Sequence, residues 1–242
     1  MKTEDFRKYA CEFVGTFILV FFAAGAVVVG GKLGALGPIG SGLISGLVLM
    51  AIIFAFGHVS GAHVNPALSI AAVYLRQLPP RLLGGYILFQ MLGSLLGGLA
   101  LKWVLGPDPT YGANLPNLAL GIGPGTAFAI ELFLSFVMMM VITGSVSAGP
   151  RVAEFAAIPI GGIVGIEVML MGPVAGAAMN PARAFGPYVA MGNFTHYWIY
   201  MVGPVAGLLL GAAVFRFTHG GLPGAAPGAM TEPPLIDLKN DA

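Results

Sequence analysis

The sequence is poor in charge. Only 9% of its 242 residues are Asp, Glu, Lys or Arg, whereas soluble domains carry about 25%. So few charged side chains cannot cover a surface that faces water, which excludes a soluble globular domain. The net charge of +1 also excludes the strongly basic surface that a nucleic-acid partner needs. With 57% hydrophobic residues and a mean hydropathy of +0.89, the chain is predicted to be an integral membrane protein.

Cysteine and histidine are also scarce. The single cysteine, Cys11, cannot form an intrachain disulfide, and the four histidines belong to no Cys/His cluster with the spacing of metal ligands. The sequence also lacks H-E-x-x-H and G-x-S-x-G, the motifs of metalloproteases and of serine hydrolases. We therefore expect no enzymatic activity, no metal site and no cofactor.

Glycine and proline, by contrast, are abundant, with 37 and 18 residues. Lipid-facing helices that only cross a membrane do not need so many, so we infer closely packed helices and interrupted backbone. A helical span needs about 20 apolar residues, and the chain offers six such stretches. They are residues 13–31, the first part of 33–75, 82–101, 132–150, 155–172 and 196–217.

The two halves of the chain repeat one another. Gly61-Ala-His-Val-Asn-Pro-Ala67 matches Gly176-Ala-Ala-Met-Asn-Pro-Ala182 at an offset of 115. Each half holds three spans, an odd number, so the halves must insert with opposite topology. Both termini are predicted to be cytoplasmic, because eight of the eleven Lys and Arg residues then lie on that side. The predicted organisation is a cytoplasmic N-terminus (1–8), a first inverted repeat (9–105), an outer connecting loop (106–125), a second inverted repeat (126–217) and a disordered cytoplasmic tail (218–242).

Each half contains one Asn-Pro-Ala motif, formed by Asn65, Pro66 and Ala67 and by Asn180, Pro181 and Ala182. Asn is a preferred N-cap and Pro is preferred at the first helical position, which predicts that a short helix begins at each motif. About 10 residues make about 15 Å of helix, or half a bilayer. Broken backbone at that depth is tolerated where it lines a water-filled cavity. We therefore predict a pore in which each Asn oxygen caps its helix and each Asn amide donates into the lumen.

The doubled motif, together with Glu12 and Glu131, resembles the aquaporin (major intrinsic protein) family over about residues 9–217. The resemblance implies an all-α membrane protein with six transmembrane helices plus two re-entrant half-helices in an inverted 3+3 repeat. It further implies a homotetramer in a cell membrane, with one pore per subunit. Each pore is expected to be a passive channel that excludes protons and ions.

The same resemblance places a four-residue selectivity filter near the outer mouth, at Ser45, Val168, Ala177 and Arg183. Water-selective members carry large aromatic and His side chains beside the Arg, whereas this chain has Ser and Val. Glycerol-conducting members typically have Asp after the Arg, whereas this chain has Ala184. Arg183 remains a barrier to cations. We expect a pore for water that also admits small uncharged solutes, such as ammonia, hydrogen peroxide, urea, glycerol or metalloid acids.

Three carboxylates fall inside predicted spans, where ionisable groups are costly and usually functional. Glu12 and Glu131 either relay protons or accept hydrogen bonds from the re-entrant segment of their own half, and their symmetry favours the second role. Glu167 has no counterpart in the first half and is either an acid at the pore mouth or a residue that faces a neighbouring subunit. His63 is expected to hold the backbone of its segment. Coupled transporters also contain broken helices and intramembrane Glu, so a proton-coupled solute transporter is the alternative function.

Mercurials are not expected to block the pore at the filter. Some members of the family have a cysteine where this chain has Ala177, and Cys11 is expected to be an inert thiol in the membrane. Stopped-flow water flux into proteoliposomes should therefore show no mercury block through position 177. Block that persists in the Cys11→Ser variant would contradict this expectation.

Overall fold

A computed structural model describes residues 3–219, which form nine α-helices and one short 3-10 helix, Leu118–Leu120, with no strand in that range. Most of the predicted tail, residues 220–242, lies outside the described residues, as do Met1 and Lys2. The helices in chain order are α1 (Thr3–Leu33), α2 (Gly37–Ser60), α3 (Pro66–Tyr74), α4 (Pro80–Leu105), α5 (Pro124–Ser147), α6 (Pro150–Ala153), α7 (Ala157–Ala175), α8 (Pro181–Met191) and α9 (Tyr197–His219).

Six of the helices in residues 3–219 are long and apolar enough to cross a membrane, namely α1, α2, α4, α5, α7 and α9. The helices that begin at the Asn-Pro-Ala motifs, α3 and α8, have 9 and 11 residues. They are therefore about 14 Å and about 17 Å long, half the thickness of a bilayer. Each half thus contains two long helices, a half-helix and a third long helix, as the sequence predicts.

The boundaries of two helices differ from the prediction. The first helix begins at Thr3, so most of the segment predicted as a separate N-terminus is helical. Its first turn is fixed by an ion pair, in which Arg81 Nη1 at the start of α4 lies 2.8 Å from Asp5 Oδ2. The α5 helix begins at Pro124, eight residues before the predicted span, because Pro at the first helical position starts a helix without needing an apolar residue there.

Glycines bring the long helices close together. Gly93 of α4 faces the Phe13 backbone of α1, and Gly207 of α9 faces the Leu132 backbone of α5. The two halves meet where α2 crosses α7, with Gly46 against Gly161. A Cβ on Gly46 would lie 2.5 Å from the Gly161 carbonyl oxygen. These contacts confirm the close helix packing that the abundance of glycine indicates.

Two adjacent glycines of α7 provide a matched test of this packing. A Cβ on Gly161 would lie 2.5 Å from the Gly46 carbonyl oxygen, whereas a Cβ on Gly162 would meet nothing within 4 Å. We expect Gly161→Ala to lower the free energy of unfolding by about 1–3 kcal/mol through overpacking. Gly162→Ala should leave it unchanged or raise it slightly, since Ala favours helix. Thermal unfolding in detergent measures both variants, and equal stability of the two would contradict the assigned α2–α7 contact.

Candidate functional site

Each half-helix is capped by the asparagine of its motif. Asn65 Oδ1 accepts hydrogen bonds from the backbone N–H of Ala67 at 2.9 Å and of Leu68 at 3.4 Å. Asn180 Oδ1 accepts from the corresponding N–H groups of Ala182 at 2.9 Å and of Arg183 at 3.2 Å. Both asparagines have extended backbone and precede a Pro at the first helical position. The motifs therefore start helices as the sequence predicts.

The asparagine amides also tie the two half-helices together. Asn65 Nδ2 donates to the Met179 carbonyl at 2.9 Å, and Asn180 Nδ2 donates to the Val64 carbonyl at 2.8 Å. This exchange corrects the prediction that the whole amide faces the lumen, because one N–H of each amide is used between the segments. One N–H of each asparagine remains available to a molecule in the pore.

The two re-entrant segments, residues 61–64 before Asn65 and residues 176–179 before Asn180, contain several residues in left-handed backbone conformations. Besides Gly61 and Gly176, the residues with positive φ are Ala62 at 47°, Val64 at 42°, Ala177 at 48° and Met179 at 52°. A residue other than glycine in this conformation costs about 1–2 kcal/mol, so contacts with the rest of the protein must stabilise it. Val64 and Met179 are the residues whose carbonyls accept the asparagine amides. The strained backbone thus turns its carbonyl oxygens towards the junction of the two half-helices.

Glu12 holds the first re-entrant segment. Its carboxylate accepts hydrogen bonds from the backbone N–H of His63 at 2.9 Å and of Val64 at 2.6 Å. It also accepts from Ser60 Oγ at 2.7 Å and from Gln90 Nε2 at 2.7 Å. Four donors surround a carboxylate that is fully buried, which satisfies its hydrogen-bonding capacity within the membrane.

Glu131 holds the second segment in the same way but with fewer partners. Its two oxygens accept from the backbone N–H of Ala178 and of Met179, both at 2.8 Å. Among the described residues, no side chain donates to it. Both acids therefore accept the hydrogen bonds expected from the segment of their own half.

His63 lies in a polar cluster behind the first half-helix. Its Nδ1 is 3.1 Å from Ser69 Oγ, which donates to the Asn65 carbonyl at 3.1 Å and accepts from Gln90 Nε2 at 3.0 Å. The imidazole also packs against the Tyr86 ring, with 5.3 Å between the ring centres. These contacts support the expected role of His63 in holding its segment.

A cavity of about 960 Å³ ends at the two asparagines. It extends from the side where Gln77 follows α3 and Glu154 precedes α7, and it includes His63 in its wall. Most of its lining is apolar, contributed by α2, α5 and α7. The four residues expected to form the filter do not line this cavity.

The four residues expected to form the filter lie on α2, on α7, in the segment directly before Asn180 and on α8. Val168 and Ala177 pack in one apolar cluster, and Arg183 is in the first turn of α8. Ser45 is buried on α2 next to Gly46, and its hydroxyl donates to the Ser41 carbonyl at 2.7 Å. Ser45 therefore satisfies its hydroxyl within its own helix and presents no bulky group.

Asn114 is a functional residue that the sequence did not reveal. Arg183 Nη1 donates to Asn114 Oδ1 at 2.6 Å and to the Gly112 carbonyl at 2.8 Å. Asn114 Nδ2 in turn donates to the Gly176 carbonyl at 2.7 Å, and the Asn114 carbonyl accepts from Tyr188 Oη at 2.8 Å. The loop between the halves thus fixes the guanidinium from the side opposite its helix. A single Asn in a Gly/Pro-rich loop carries no local signal of such a contact.

Glu167 lies inside the subunit. It is only 5% exposed, and neither carboxylate oxygen has a hydrogen-bond partner among residues 3–219. Its burial within a single chain leaves almost no surface for the neighbouring subunit that the sequence analysis considered. The same part of the chain contains no group of three or more His, Cys, Asp or Glu that could hold a metal ion.

Comparison with known proteins agrees with this architecture. The family model described as "Major intrinsic protein" matches residues 1–215. The chain is 40% identical to aquaporin NIP3-1 of Oryza sativa subsp. japonica over 210 residues, which are 86% of this chain and 67% of that protein. It is 37% identical to aquaporin NIP6-1 of Arabidopsis thaliana over 211 residues, or 87% and 68% of the two chains. The X-ray structure of the aquaglyceroporin from Plasmodium falciparum matches with a TM-score of 0.76 and 24% identity, over 87% of this chain and 95% of that one.

Six membrane-length helices around two half-helices, with a cavity that ends where the half-helices meet, form the architecture of a membrane channel. The chain belongs to the major intrinsic protein family, the aquaporins. Members of this family are channels for water and small solutes rather than enzymes.

The anchoring of Arg183 can be tested on the loop. In Asn114→Ala the guanidinium loses one of its two acceptors, the Asn114 oxygen at 2.6 Å, and keeps the Gly112 carbonyl. Because a hydrogen bond to a charged group contributes about 1.5–3 kcal/mol, we expect lower thermal stability and a lower water permeability per channel. Asn117→Ala is the matched control, since Asn117 donates to the Pro173 carbonyl and not to Arg183's partners. Equal stopped-flow permeability of the two variants would contradict the role of Asn114.

Proposed function

We propose that this channel conducts water together with small uncharged solutes and excludes protons and ions. The path we infer follows the cavity to Asn65 and Asn180 and then passes the filter of Ser45, Val168, Ala177 and Arg183. The observation that supports it best is the reciprocal asparagine pair at the inner end of the cavity. That pair presents two amide N–H groups and two helix N-termini at one point.

Exclusion of protons follows from the polarity of this point. Each helix N-terminus carries roughly half a positive charge, so the junction repels hydronium and metal cations. A water molecule that accepts the free N–H of Asn65 and of Asn180 directs its hydrogens away from both. It therefore cannot accept a proton from one neighbour and pass it to the next. Arg183, whose guanidinium is fixed by Asn114, adds a second positive barrier.

Admission of larger neutral solutes follows from the small side chains of the filter. Ser45 and Ala177 are small and Val168 is of medium size, so only Arg183 brings bulk to the opening. A guanidinium that donates on one side and apolar groups on the other suit a solute with both hydroxyl and apolar surface. We therefore propose ammonia, hydrogen peroxide, urea, glycerol or metalloid acids as solutes beside water.

The membrane arrangement is proposed on the distribution of charge. Arg7, Arg76, Arg81 and Arg151 lie at the end of the bundle where α1 begins, and Arg216 in the last turn of α9 packs over the Tyr74 ring at the same end. The positive-inside rule makes this end cytoplasmic, so the cavity is a cytoplasmic vestibule. We propose a cell membrane as its location and a homotetramer as its assembly.

The alternative of a proton-coupled transporter finds less support. A proton carrier must release and rebind its proton during each cycle, but Glu12 and Glu131 each accept backbone N–H bonds from a re-entrant segment. Protonation would weaken the bonds that hold the strained backbone. Flux with a low activation energy and no dependence on a proton gradient would separate the channel from the transporter.

A larger side chain at position 45 tests the filter. We expect Ser45→Phe to reduce glycerol and urea permeability at least tenfold while water permeability changes little, because steric exclusion acts first on the larger solute. The measurement is a stopped-flow solute panel in proteoliposomes. Leu47→Phe is the matched control, since Leu47 is on the same helix and 52% exposed on the outside of the subunit.

Two outcomes would contradict the wide filter. One is a wild-type protein that conducts water and excludes every solute of the panel. The other is a Ser45→Phe variant that conducts glycerol and urea as well as Leu47→Phe does.

A further inference from the structure

The two halves hold their re-entrant segments with different sets of donors. In the first half, Glu12 accepts from two backbone N–H groups and from the side chains of Ser60 and Gln90. In the second half, the positions equivalent to Ser60 and Gln90 are Ala175 and Pro204, which have no side-chain donor. Glu131 therefore has its backbone donors and lacks both side-chain donors.

Glu167 has an apolar counterpart in the first half. At the repeat offset of 115 it is equivalent to Ile52, which is 2% exposed and packs beside Gly15 and Val64 behind the first segment. The second half thus has an acid where the first half has an apolar side chain. By this equivalence the Glu167 carboxyl lies behind the second segment, which Glu131 holds through the N–H groups of Ala178 and Met179.

The surroundings of Glu167 require a neutral acid. An ionised carboxylate that is buried and has no hydrogen-bond donor among residues 3–219 is strongly disfavoured. Arg183 directs its Nη1 to Asn114 and Gly112 and makes no ion pair with Glu167 among residues 3–219. A neutral carboxyl has one O–H donor, which is what Glu131 lacks.

We propose that Glu167 is a positioning residue, a protonated acid whose O–H donates to the Glu131 carboxylate and replaces the side-chain donors of the first half. A rotation of the Glu167 side chain or one bridging water completes the donation. Glu131 then holds the N–H groups of Ala178 and Met179, and through them the asparagine pair. How the second segment is held is independent of which solutes pass through the pore.

Four variants separate the loss of a hydrogen-bond donor from the change in side-chain volume. Glu167→Ile copies Ile52 and removes the donor, so we expect water permeability per channel to fall about fivefold, the factor of one net hydrogen bond. Glu167→Gln keeps a donor and should stay within about twofold of the wild type. Adding Ala175→Ser to Glu167→Ile restores the first half's arrangement and should recover permeability. Ala175→Ser alone is the control and should behave as the wild type.

The results that would overturn the proposal are equally definite. One is Glu167→Gln as impaired as Glu167→Ile, and another is Glu167→Ile as active as the wild type. A double variant that does not recover relative to a folded Glu167→Ile would also overturn it.

Infrared spectroscopy tests whether Glu167 is protonated, and it needs only Glu167→Gln, a variant that is expected to conduct water nearly as well as the wild type. The C=O stretching band of a protonated carboxylic acid should be present in the wild type in membranes at neutral pH and lost in Glu167→Gln. A band that is absent, or that is unchanged in Glu167→Gln, would overturn the proposal even if Glu167→Ile fails to fold. If the wild type excludes every solute of the panel while this band is lost in Glu167→Gln, the proposal of a wide filter is wrong and the proposed role of Glu167 is retained.

Discussion

Backbone that leaves its helix inside a membrane must find a partner for each N–H and C=O group, and this constraint organises the molecule. The two segments before the half-helices meet it with few residues. Each asparagine caps its own helix and donates to a carbonyl of the opposite segment. Each segment also has its own buried glutamate, which accepts two of its N–H groups. The left-handed residues that bend the segments are stable only while these bonds persist. The hydrogen bonds thus offset the conformational strain of the segments.

The repeat keeps the backbone contacts of this arrangement and varies the side chains around them. Tyr86 Oη donates to the Ser60 carbonyl and Tyr200 Oη donates to the Ala175 carbonyl, in equivalent places. The first half surrounds its glutamate with polar side chains, whereas the second half replaces them by Ala175 and Pro204. The second segment instead receives support from the connecting loop, through Asn114, which the first segment does not have. One backbone geometry is therefore held by two different sets of side chains.

Features written into local sequence could be predicted, and contacts between distant residues could not. Asn-Pro starts a helix by its own chemistry, so the beginnings of α3 and α8 were predictable, as was the close packing of helices through glycine. The repeat gave the architecture because an odd number of spans in each half forces inversion. By contrast, the bond from Arg183 to Asn114 joins residues 69 positions apart in a loop without periodicity. The prediction that the whole asparagine amide faces the lumen was wrong for the same reason, since the acceptors of the two amides lie 114 and 116 positions away.

The bonds between the two half-helices also bear on how the protein is made. Asn65 leaves the ribosome well before Met179 exists, and at about 5–20 residues per second the interval is on the order of 10 s. During that time the first segment has its glutamate, but the acceptor of its asparagine amide has not yet been synthesised. The first half therefore waits in the membrane with an incomplete lumen. The two asparagines can meet only after residues 179 and 180 have been synthesised and inserted, so the pore is completed late in the assembly of the chain.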